Sequence, residues 1–89
     1  MEKSKVTYSR LKKALESIDP EEYGKTDRSY VGIVKTIKEL ALSKLEEYLA
    51  KGEIQKNSNI RTIEEEVSKE PDLIRRILYA IIDYATSRD

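Results

Sequence analysis

The stretch Leu73–Ala85, LIRRILYAIIDYA, is apolar over too wide an arc for an ordinary surface helix. Leu73, Ile74, Ile77, Leu78, Ala80, Ile81, Ile82, Tyr84 and Ala85 would cover about 200° of a helix, against the roughly 100° stripe that serves one buried face. Arg75, Arg76, Asp83 and Tyr79 hold the remainder. A helix of this kind has to bury two sides, within its own bundle or against another chain. The segment Ser29–Lys51 repeats the pattern. Tyr30, Val34, Ile37, Ala41, Leu45 and Tyr48 form one row there, widened by Ile33 and Leu40 on one side and by Val31, Leu42 and Leu49 on the other.

Shorter helical segments lie around these two. Leu11, Ala14, Leu15 and Ile18 recur at helical spacing with Tyr8 beside them, which predicts a helix over about Thr7–Ser17. Asp19-Pro20-Glu21-Glu22 has the chemistry of a helix start and Gly24 that of a stop, so a short helical turn or a corner between helices is expected there. Thr26, Asp27 or Ser29 caps the long helix, and Gly52 ends it. Residues 51–59 form a polar connector in which Ile54 is either strand-like or a plug over the core. Ser58 or Asn59 caps a third helix running to about Lys69 with a narrow face of Ile60, Ile63 and Val67; Glu70-Pro71 breaks it, and a last helix runs from Pro71 to about Ser87. The expectation is an all-α fold: one domain over 1–89, a small bundle of about four helices with two long central ones and two shorter, as a monomer or a dimer. Residues 1–6 are expected to be a disordered N-terminal tail.

Composition narrows the chemistry. Cysteine and histidine are both absent, which removes disulfides, thiolate metal sites and the commonest general base and zinc ligand. Ser9–Lys12 matches S-x-x-K without its companion motifs, and Glu64, Glu65 and Glu66 diverge around a helix instead of converging on a cation. No catalysis, cofactor, metal or small-molecule substrate is expected. Seventeen basic and seventeen acidic residues cancel, so no global basic field draws nucleic acid. The basic start carries no apolar segment after it, and Ile77–Ile82 is far shorter than the ~20 residues of a membrane span, so a soluble, cytoplasmic chain without membrane contact is expected. The Lys/Glu richness, with few Asn, Gln and Met, is thermophile-like.

Two patterns point to partners. The apolar breadth of the last helix makes Ile74, Ile77, Leu78, Ile81, Ile82 and Tyr84 the expected contacts of a non-catalytic accessory subunit or adaptor that forms a homodimer or docks on a larger assembly. The alternative is a nucleic-acid-binding protein. Ile60–Lys69, a three-residue break and Leu73–Thr86 resemble a helix-turn-helix in spacing, with Arg75 and Arg76 in the first turns of the second helix. Residues 1–18 carry five basic against two acidic side chains, and Tyr8 among Arg10, Lys12 and Lys13 offers stacking beside phosphate contact.

Overall fold

Side-chain caps open the 3-10 segment and one of the helices in the computed structural model, which describes residues 5–87. The order is α1 (Tyr8–Glu16), a 3-10 segment (Pro20–Gly24), α2 (Ser29–Ala50), α3 (Ile60–Val67) and α4 (Asp72–Ser87), with no strand among the described residues. Asp19 Oδ1 accepts the Glu21 N–H at 3.0 Å and opens the 3-10 segment, whose first residue is Pro20. Asp27 Oδ1 accepts both the backbone N–H and the hydroxyl of Ser29, at 2.9 and 2.8 Å, and these bonds hold the Asp27 carboxyl below the usual range. Asn59 Oδ1 accepts the Arg61 N–H at 2.9 Å, so Asn59 caps α3, while the Ser58 hydroxyl takes the Gln55 N–H within the connector. Pro71 sits one residue before α4, its carbonyl accepting the Arg75 N–H at 2.8 Å.

The end of α2 shows why a glycine stands at position 52. Gly52 N–H donates to Leu49 O at 3.1 Å and Glu53 N–H to Tyr48 O at 2.9 Å, the paired bonds of a Schellman cap. That cap needs a left-handed residue at its hinge, and Gly52 has φ +75°. The reversed chain drops Ile54 onto the core, where it is fully buried. Ile54 is thus a plug.

The core is aliphatic, with Leu11, Leu15, Ile18, Ile54, Ile60, Ile63, Val67 and Leu78 its most completely buried side chains. The helices α1 and α4 each pack on the other three, whereas α2 packs mainly on α1, α4 and the 3-10 segment. The centre therefore belongs to α1 and α4, not to α2 and α4 as the two wide arcs suggest. Only Ala41, Leu45 and Tyr48 of α2 are buried, while Tyr30 and Ile33 in its first half stay half exposed.

The N-terminal tail also needs correction. Residues 1–4 lie outside the described residues, but Val6 is a core residue. Its carbonyl accepts the Ile60 N–H at 2.8 Å, Tyr8 N–H donates to Ser58 O at 2.9 Å, and Thr7 and Asn59 form an isolated antiparallel bridge. This strap joins the start of α1 to the start of α3. Its two backbone hydrogen bonds and the burial of Val6 outweigh the loss of chain entropy that a polar terminus would otherwise keep.

Candidate interaction surface

The side chains expected at a partner interface divide by position around α4. Leu78, Ile81 and Ile82 point into the chain's own core and are not available to a partner. Ile74 is half-buried against that core, and Ile77 is half-buried beside it. Tyr84 is 39% exposed, and Leu73, at 70%, is the most exposed large apolar residue described. What stays outside is a narrower stripe, Leu73, Ile77, Ala80 and Tyr84, spaced 4-3-4. That is the heptad spacing of a helix seam.

A second stripe runs along α2. Tyr30 and Ile33 are each 51% exposed, and Ile37 and Leu40 continue the line half-buried, at spacing 3-4-3. The flank of this stripe is small and uncharged: Ser29, Gly32, Thr36 and Ser43. A Cβ at Gly32 would meet nothing within 4 Å, so this side of α2 is open.

The two helices pack together and run antiparallel. Lys44 Nζ of α2 meets Glu70 Oε1, just before α4, at 3.1 Å. At the far end Tyr23 of the 3-10 segment, which lies on the start of α2, meets Tyr84 edge-on with ring centroids 6.3 Å apart, and their hydroxyls hydrogen-bond. The stripes thus lie on adjoining helices. Taking ~200 Å² for a large side chain laid bare, Tyr30, Ile33, Leu73 and Tyr84 together leave roughly 400 Å² exposed, comparable with the largest apolar patch of an ordinary monomer, which is often functional.

The residues expected to meet nucleic acid stand on two helices, α1 and α4. Tyr8 is 3% exposed and packs in the core, so its ring has no face to offer a base. Arg10 and Lys13 lie exposed on α1 and Lys12 half-buried. Arg75 and Arg76 both ion-pair with Asp72, one turn back on the same helix. The helix they stand on gives its broad apolar face to the core. The acidic residue at the α4 start, which favours the helix dipole, is what engages the two arginines.

A charged cleft of about 360 Å³, not anticipated from sequence, lies where α2 ends against the α3–α4 junction. Lys44 bridges Glu47 at 3.2 Å and Glu70, and Tyr48 donates to Glu70 Oε2 at 2.7 Å. The Glu70 contact, ahead of Glu47, raises the Lys44 ammonium above its usual range, and burial and then Glu70 push the Tyr48 phenol upward. Both shifts hold the protonated form. A nucleophilic lysine or tyrosine needs the opposite shift, so this network acts as a clamp between α2 and α4. Across the cleft, the hydrogen bond to Glu66 raises the Glu53 carboxyl, while Lys69 and then Glu53 lower that of Glu66. Among the described residues no group of acidic side chains has the geometry to hold a metal ion, and no helix is long and apolar enough to cross a membrane.

No family model, no curated protein and no solved structure matches this chain.

Proposed function

We propose that this chain is a non-catalytic helical interaction module, an accessory subunit that acts by association through the paired stripes of α2 and α4. The observation that carries the reading is the exposure of Tyr30, Ile33, Leu73 and Tyr84 on two adjoining antiparallel helices. Leaving roughly 400 Å² of such surface in water forgoes on the order of 10 kcal/mol of burial at ~25 cal/mol per Å². A chain with a small core has little reason to carry that surface unless something covers it. The protonated states held at Lys44 and Tyr48 support the non-catalytic part of the reading. The cysteine-free composition suits a reducing cytoplasm.

The test is capture from the protein's own cells with tagged wild type and an Ile33→Asp/Leu73→Asp variant side by side. Both positions are at least half exposed, so the variant retains its helical circular dichroism. Partners, including untagged copies of the chain, should be held by the wild type and lost from the variant. Identical retained sets would overturn the reading.

A further inference from the structure

We infer that the occupant of this surface is a second copy of the chain, related by a twofold axis that sets α4 antiparallel to its mate. The inference rests on the interaction reading above and specifies its partner. The argument comes from the spacing along α4. In an antiparallel helix pair each seam residue of one kind faces one of the other kind. With the axis passing midway between Ile77 and Ala80, Leu73 faces Tyr84 of the mate and Ile77 faces Ala80. Each layer then joins one large side chain to one that fits it. A parallel pairing sets Tyr84 on Tyr84 and leaves Ala80 on Ala80 as a gap.

The flank supplies charge complementarity. Arg76 and Asp83 lie on the solvent side of the same stripe, seven residues apart. The axis that pairs Leu73 with Tyr84 also sets Arg76 opposite Asp83 of the mate, twice over by symmetry. The Arg76 side chain is 76% exposed and its contact to Asp72 is a 3.3 Å surface pair, so it can turn to the mate at little loss.

The α2 stripe fits the same operation. Its spacing is symmetric about its centre: Tyr30 faces Leu40 and Ile33 faces Ile37, with Ser29, Thr36 and Ser43 bringing no like charges together. The Lys44–Glu70 pair fixes α2 beside α4, and in the proposed dimer both stripes face the mate. Two such pairs stacked face to face make a four-helix bundle. The large apolar side chains contribute roughly 800 Å² in total from the two chains, below the ~1,600 Å² of a standard interface, so the dimer is reversible and concentration-dependent.

Cysteine crosslinking tests the register without background, because the chain has no cysteine of its own. In a Leu73→Cys/Tyr84→Cys variant the two sulfurs of one chain are eleven residues apart along a helix, about 16 Å, too far to join to each other. Mild oxidation at high protein concentration should give a covalent dimer whose peptide map shows 73–84 links. Links of 73 to 73 and 84 to 84, or a product that stays monomeric, would overturn the arrangement. Without cysteines, Arg76→Asp and Asp83→Arg should each weaken dimerisation about tenfold in sedimentation equilibrium, and the double variant should restore it. No change in either single variant would also overturn it. A wild type that stays monomeric at millimolar concentration while Ile33→Asp/Leu73→Asp still loses a captured protein would sink the twofold arrangement and leave the interaction reading standing. Failure of the capture comparison sinks the reading itself.

Discussion

The two halves of α2 contrast most in this molecule. Both carry an apolar arc of similar width in the sequence. The second half, with Ala41, Leu45 and Tyr48, lies under α1 and α4 and is tied by Tyr48 and Lys44 to Glu70. The first half keeps Tyr30 and Ile33 each 51% exposed, outside the cover that the 3-10 segment and the neighbouring helices give its other side. Apolar width therefore records that a surface is meant to be covered, while the covering element is settled by the rest of the chain. Here the chain buries side chains of one half and leaves Tyr30 and Ile33 of the other exposed.

The sharpest way to break this contrast is truncation in each half. Leu45→Ala should destabilise the fold by about 2–5 kcal/mol, the cost of a leucine-sized cavity in a packed core. Ile33→Ala should change unfolding of the dilute chain by under about 0.5 kcal/mol, as surface changes do. Denaturant midpoints measured at micromolar concentration separate the two. Equal costs would mean that the first half of α2 is buried within the single chain.

Much of the fold was legible in advance because cap chemistry is local. Asp19, Gly52 and Asn59 act at the helix ends where their residue types place them, while Asp27 bonds Ser29 from one residue outside the uncapped α2 start at Arg28. The Ile54 plug was one of two readings of an isolated apolar residue, and the Schellman turn at Gly52 decides between them. Nothing local marks the strap between Val6 and Ile60, since its bonds join residues 50 and 54 positions apart. The same holds for the central role of α1. Its narrow face of Tyr8, Leu11 and Leu15 is buried more completely than wider ones because three helices converge on it. At the candidate surface, periodicity marked α4 as two-sided but could not separate its core side from Leu73, Ile77, Ala80 and Tyr84. That separation depends on where α1 and α2 stand.

The cover over the first half of α2 is tested next by Gly24→Ala. An alanine Cβ there would run into Val31 Cγ2, with the Arg28 guanidinium also close. The side chain of Val31 is stiff at χ1, so the 3-10 segment must shift away from α2. A destabilisation of about 1–3 kcal/mol is expected from the overpacking. The Tyr23–Tyr84 hydroxyl contact should be lost with it, visible in the tyrosine ring resonances. Unchanged stability and resonances would show that the segment is not pinned against α2.

On the covered half, Tyr48→Phe removes one hydrogen bond to Glu70 and leaves Lys44 in place. A loss of about 1 kcal/mol is expected, the ordinary worth of one hydrogen bond where the acceptor keeps a second partner. A cost no greater than that of Ile33→Ala would place the clamp among surface contacts and blur the contrast between the halves.

The smallest effect concerns the far wall of the cleft and appears as pH dependence. Glu47 and Glu66 have lowered carboxyls, the first by Lys51 and then Lys44, the second by Lys69 and then Glu53. Their stabilising contribution is present above the ordinary glutamate range and is lost as pH falls through their lowered values. Glu53 runs the other way. Its raised carboxyl means that the folded chain holds its proton more tightly, so its contribution is present in acid and is lost as pH rises through the raised value. Glu53→Gln keeps a donor toward Glu66 at every pH and removes the like charge. The variant should therefore match the wild type in acid and exceed it slightly in denaturant midpoint at neutral pH. A variant weaker than the wild type at neutral pH would mean that the Glu53 charge pairs with Lys51 or Lys69 more than it opposes Glu66, and the wall would then be a closed ion network continuous with the Lys44–Glu70 clamp.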